Sequence, residues 1–164
     1  MSEAIHDHGL LRTLQEEVRA RLQEDEMLFA PPRTLIIAED IGDIESEITK
    51  AIGPLNTGGG VVIVGSPEMN TPDPKRPFMF SVNIKFQCLE LSIVNRSASG
   101  NQVYAERLAE ILHILMRNWE PATNGWSGML LREWRTGPAE KFKGYVADVI
   151  VFQTETCYET EQVV

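Results

Sequence analysis

The chain has 164 residues, 43% hydrophobic and 24% charged, with a formal net charge of −9; that is the balance of one globular domain with a single core, and no apolar run approaches the ~20 residues of a membrane span. The charge is uneven, with −7 in residues 1–50, +1 in 51–152 and −3 in 153–164. Acid-rich ends repel a phosphate backbone, which excludes stable sequence-independent nucleic-acid binding while still permitting DNA to pass an acidic wall.

The first residues, "MSEAIHDHGLL", lack the basic flank and apolar stretch of a signal peptide, so a protein of a cytosol is expected. His6 and His8 stand on a terminus expected to fray, which makes them a poor metal pair. "LLRTLQEEVRARL" spaces Leu11, Leu14, Val18 and Leu22 on one stripe and predicts an amphipathic helix over about 10–26. The double proline Pro31-Pro32 ends any helix, and residues 34–38 read as a short strand or extended link.

A second helical period puts Ile41, Ile44, Ile48 and Ile52 on one side of residues 40–52, with Asp40 as a plausible N-cap and Gly53-Pro54 as the stop. Glu39, Asp43 and Glu47 recur on the opposite side. Spread along some 12 Å of one helix they do not converge on a cation, so they read as a solvated face.

"NTGGGVVIVGSPEMNTPDPKRP" invites a nucleotide-binding interpretation that its order refuses. In phosphate-binding motifs the glycines follow a strand and open a helix; here Gly58-Gly59-Gly60 precede the strand at 61–65, and Pro67, Pro72, Pro74 and Pro77 follow it. Residues 66–77 instead predict a long, mobile, proline-punctuated loop carrying Met69, Lys75 and Arg76.

"FMFSVNIKFQCLELSIVNR" is the strongest strand signal. Apolar residues hold the even positions from Phe78 to Phe86 and the odd ones from Leu89 to Ile93. A phase slip at Gln87-Cys88 without Gly, Asn or Pro predicts a β-bulge in one long bent strand. The two cysteines, Cys88 and Cys157, have neither metal spacing nor a secretory context and read as free thiols.

After "NRSASGN" a helix is expected over 102–119, with Tyr104, Leu108, Ile111, Leu112, Leu115 and Trp119 on its buried face. Ser99 and Gln102 have the spacing of a capping box, whereas a serine nucleophile would require a base, an orienting acid and a G-x-S-x-G elbow. His113 sits on the helix flank without a second metal-spaced ligand. "MLLREWR" and "FKGYVADVIVFQTE" read as an antiparallel strand pair that buries Trp134, Tyr145, Val149 and Val151, and the acidic end, about 156–164, is expected to be disordered.

The expected fold is therefore α+β: a largely antiparallel bent sheet with amphipathic helices packed on it, in a single domain. A strand ending in Asn95-Arg96, a polar turn, a helix of "AERLAEILHILMRNWEP" texture and two terminal strands resembles the tail terminators and tail-completion proteins of tailed bacteriophages over residues 61–155. The resemblance implies a structural protein of the virion tail, assembled in the bacterial cytoplasm, that forms a ring, of six copies in the family. Its partners would be the tail tube and head–tail connector proteins, with DNA in transit, no membrane, and no catalytic, cofactor or metal residues to transfer. Met69, Lys75, Arg76, Asn95 and Arg96 are the candidate contacts. The competing interpretations are a small enzyme using Asp40, Asp43 and His113, and an adaptor of a phage-derived injection apparatus.

Overall fold

Alternation of Val82, Ile84 and Phe86 against Ser81, Asn83 and Lys85 suits a strand with one dry face, and residues 79–90 form that strand. The computed structural model describes residues 9–24, 34–39, 59–90, 104–138 and 146–157. In chain order these give α1 (Leu10–Gln23), β1 (Thr34–Glu39), β2 (Gly59–Val64), β3 (Glu68–Met69), β4 (Met79–Glu90), α2 (Ala105–Met116), β5 (Leu130–Pro138) and β6 (Val146–Cys157). The strands make one sheet in the order β1-β2-β4-β6-β5, with β3 pairing β4 beyond the end of β2. All pairs are antiparallel except β1·β2, which is parallel from Thr34↔Gly59 to Glu39↔Val64. The α+β fold follows from the sequence as expected; the expected helix at 40–52 and the Ser99 turn lie outside the described residues.

One face of the sheet carries the core. Val62 and Val64 of β2, Val82, Ile84, Phe86 and Cys88 of β4, and Ile150 and Phe152 of β6 pack against Leu14, Val18 and Leu22 of α1 and Leu108, Ile111, Leu112 and Met116 of α2. Phe86 and Phe152 meet edge to face, 6.0 Å between centroids. Gln15 is buried on α1 and donates from Nε2 to the carbonyl of Val64 at 3.2 Å, which ties the helix to the end of β2 and satisfies both groups. Where β2 leaves the sheet, the Gly65 amide donates to the Lys85 carbonyl at 2.8 Å. A Cβ at Gly65 would stand 2.8 Å from that same oxygen, so the close approach requires glycine.

A strap, residues 117–129, finishes the helical layer. Asn118 and Asn124 adopt positive φ, Trp126 enters the core, and the Met129 amide returns to the Trp119 carbonyl at 3.1 Å. On the same face of β6 the buried hydroxyls of Thr154 and Thr156 donate to the strap carbonyls of Ser127 and Asn124. Two polar residues thus sit in the dry layer at little cost.

Several expectations change. The pairing of β4 with β6 runs without a break from Met79↔Cys157 to Glu90↔Val146, so there is no bulge at Gln87-Cys88. Cys88 continues the core face, and Gln87 and Leu89 are buried on the opposite face beside Val61, Ile63, Ala147 and Val149. The sequence pattern shifts there because both faces are dry, not because the strand slips. The bulge lies instead in β5, between Leu131 and Glu133.

Helix α2 starts at Ala105, not 102: Tyr104 is its N-cap with no side-chain bond, and the first helical hydrogen bond runs from the Leu108 amide to the Tyr104 carbonyl. The Ser99–Gln102 box lies outside the described residues. Tyr104 is exposed, and the helix ends at Met116 because Arg117 turns extended to bridge Met129. Helix α1 ends at Gln23, with Glu24 as its C-cap. The segment at 66–77, expected to contain no strand, opens with β3. Strand β6 extends to Cys157, into residues assigned to the acidic tail.

Leu112 is fully buried between α2 and the sheet, so Leu112→Ala removes three heavy atoms from the core. Thermal or urea unfolding should register a loss of about 2–5 kcal/mol; a loss below about 0.5 kcal/mol would mean the helix does not pack as described.

Candidate functional site

The helical layer is narrower than the sheet. Helix α2 packs on β6, β4 and β2, and the outer strand β5 is exposed along its length apart from the half-buried Gly137. Pairing of Leu131 with Phe152 and of Trp134 with Ile150 puts both side chains on the helix-bearing face, beyond the reach of the core. They remain 39% and 38% exposed, and Leu130 on the other face is 58% exposed. Trp134 was expected to be buried; as an edge residue it has a neighbouring strand on one side only. Val149 is buried as expected, Val151 is half-buried, and Tyr145 lies outside the described residues.

What holds Trp134 is polar. Its indole Nε1 donates to Oδ2 of Asp148 at 3.0 Å, and His113 of α2 approaches its ring with centroids 5.8 Å apart. His113 also stacks on Phe152, 6.1 Å away at 27°. This histidine is a packing residue at the rim of the core, between two aromatic rings.

Asp148 is fully buried, and its Oδ1 has no hydrogen-bond partner. Across the β4·β6 ladder it faces Cys88. Burial first, and then the charge of Asp148, push the Cys88 thiol well above the usual range. Such a thiol is a poor nucleophile.

The opposite edge of the sheet, at the end where β2 has left it, is the short strand β3. Glu68 pairs with Asn83 and Met69 with Val82, so Met69 points to the helix-bearing face and Glu68 to the other. Met69 is 45% exposed. The Asn70 amide nitrogen Nδ2 donates to Ser81 Oγ at 2.9 Å and Asn83 Oδ1 at 3.1 Å, and its backbone N–H reaches the Ser81 carbonyl at 2.8 Å. The tip is a turn in which the Lys75 amide donates to Asp73 Oδ1 at 2.9 Å. Arg76 pairs with Glu155 of β6 at 3.0 Å, with both side chains substantially exposed.

Three of the five expected contact residues, Met69, Lys75 and Arg76, therefore share one hairpin. Asn95 and Arg96 lie outside the described residues, as do Asp40, Asp43 and Ser97. Among the described residues no group of three or more His, Cys, Asp or Glu could hold a metal ion, and no helix is long and apolar enough to cross a membrane. Glu17 and Arg21, which line a shallow cleft, tie α1 to the strap: Glu17 accepts from Thr123 N and Oγ1, and Arg21 lies over Trp119.

No family model and no curated relative matches the sequence. The fold does have a solved counterpart. A chain in the virion of a native gene transfer agent particle superposes with a TM-score of 0.55 at 12% identity, over 88% of this chain and 95% of that one. At that identity the likeness is one of fold.

Two predictions follow from the β5 edge and its neighbours. Trp134→Phe keeps the ring but leaves Asp148 with neither oxygen paired, and should cost about 1–3 kcal/mol in chemical unfolding. A thiol reagent should label one cysteine of the native protein, the exposed Cys157, and reach buried Cys88 only under denaturing conditions.

Proposed function

We propose that this chain is a structural component of a phage-like virion, and specifically a tail terminator or head–tail joining protein that closes the end of a tail tube as a ring. The observation that carries the reading is the end-to-end fold likeness to a chain of a gene transfer agent virion, which spans nearly all of both chains. The order of strand, helix and terminal strands that resembles tail terminators supports the finer assignment. The exposed strands β3 and β5 support assembly, because an edge left bare in a monomer invites uncontrolled pairing, and a head-to-tail contact that closes by rotation removes it. An acidic chain suits a channel through which DNA passes without adhering. The partners are further copies of the same chain, six in the family, with tail tube and connector proteins above and below.

The role requires no chemistry. His113 is occupied by Phe152 and Trp134, so His113→Gln should leave particle formation intact, as should Ser97→Ala, when each is tested by complementation of a null strain.

The direct test adds purified protein to tail tubes of the particle that encodes it and images them by electron microscopy. Rings at one tube end are expected, with a sedimentation mass several times that of the 18.4 kDa chain. Decoration along the tube wall, or no binding by a folded protein, would refute the assignment.

A further inference from the structure

At the end of the sheet where β2 has departed, the order is β3-β4-β6-β5, so β3 and β5 are its two edges. Both are antiparallel to the inner strand beside them, and β4 is antiparallel to β6; β3 and β5 therefore run in opposite directions. Their side chains are distributed in the same way. On the helix-bearing face β3 shows Met69 and β5 shows Leu131 and Trp134, all partly exposed. On the other face β3 shows Glu68, and β5 shows the exposed Leu130, Arg135 paired with its own Glu133 at 2.9 Å, and Arg132, whose guanidinium reaches Gln153 of the same face.

We propose that copies of this chain join head to tail, the β3 hairpin of one copy docking antiparallel on the β5 edge of the next so that a single sheet runs around the assembly. This rests on the ring reading above and adds the contact that builds it. A second copy set beside the first with its helices on the same side brings β3 against β5 in opposite directions, as antiparallel pairing requires. Met69 then covers Leu131 and Trp134, and Glu68 meets the arginines.

The occupant is a second copy because the strand directions match and, on the helix-bearing face, the exposed Met69 meets the exposed Leu131 and Trp134, while Glu68 comes onto the face that carries Arg132 and Arg135. A two-fold contact of β5 with β5 would also set Glu133 against Arg135, but it would leave β3 and Met69 bare at both outer edges. The head-to-tail contact covers β3 and β5 with one interface and closes by rotation. Strand addition supplies main-chain hydrogen bonds, and the alternate side chains supply the specificity.

Engineered cysteines read the contact directly. In the full chain with Cys157→Ser, Met69→Cys is combined with Leu131→Cys or with Thr136→Cys, two helix-face positions of β5 that allow for either register. Under mild oxidation at least one combination should yield a ladder of covalent species beyond the dimer, and each single variant should stay monomeric on denaturing gels. A single β5 variant that dimerises efficiently while neither combination gives a ladder would establish the two-fold β5 contact and overturn the proposal. A multimer by sedimentation with no cross-link in any variant would also overturn it, while leaving the ring itself standing. A chain that stays monomeric by sedimentation, with and without tail tubes, would overturn both. As a check that does not depend on cysteine, Leu131→Glu should weaken self-association at least tenfold without a large change in melting temperature, since the side chain is exposed in the single chain.

Discussion

Everything in this protein is positioned by one pairing, the unbroken twelve-residue ladder between β4 and β6. It aligns Ile84 with Phe152 and Phe86 with Ile150, and so puts the central apolar side chains of both strands under the helices. Side chains alternate with a period of two, so a slip of one residue would turn Phe152 and Ile150 to the other face and bring Val151 and Gln153 under the helices. The position of β5 also depends on this ladder, because β5 touches the sheet through β6 alone. So does the hairpin, whose Arg76 reaches β6 at Glu155. Core, outer strand and hairpin are thus all referred to one register.

The parts of the fold visible in the sequence are those governed by local periodicity. The stripe Leu14, Val18, Leu22 and the set Leu108, Ile111, Leu112 identify helices that pack as their spacing requires, and the even-numbered apolar run identifies β4. Where local pattern misleads, the cause is non-local. The shift at Gln87-Cys88 mimics a slipped strand because the second face becomes dry at that end, which depends on Val61, Val149 and Ala147 being brought together from far along the chain. The true slip had the same mark: Leu131 and Trp134, three apart in an extended segment, share a face only because Arg132 is squeezed out between them. Burial of Trp134 was misjudged for a related reason, since hydrophobicity does not reveal which strand becomes the edge. The bond from Gln15 to the Val64 carbonyl has no sequence signal at all. Of the residues proposed to make the contact, Met69, Lys75 and Arg76 were legible as an unusual loop, whereas the exposure of Leu131 and Trp134 became visible only with the strand order in hand.

The helical layer explains why the sheet has usable edges. Among the described residues, helices α1 and α2 with the strap cover β1, β2, β4 and β6 and leave β5 outside. Asp148 marks the boundary. Its carboxylate binds the Trp134 indole from the dry side and holds the ring flat along the rim, at the expense of one unpaired oxygen. A wholly apolar rim would be free to rearrange, whereas the hydrogen bond gives the tryptophan one orientation.

The inner strand β6 is synthesised after β5, the outer strand that it holds in the sheet. β6 spans residues 146–157 of a 164-residue chain, and β4, its main partner, was completed some 55 residues before it. Contacts of such long sequence separation form late, because the intervening loop must be closed before any pairing repays the cost. While the ribosome is still making the C-terminal third, β5 has no inner neighbour and cannot be an ordered edge. The surface through which copies are proposed to meet therefore comes into being only once β6 has been made and paired, which keeps chains that still lack β6 from joining one another through it.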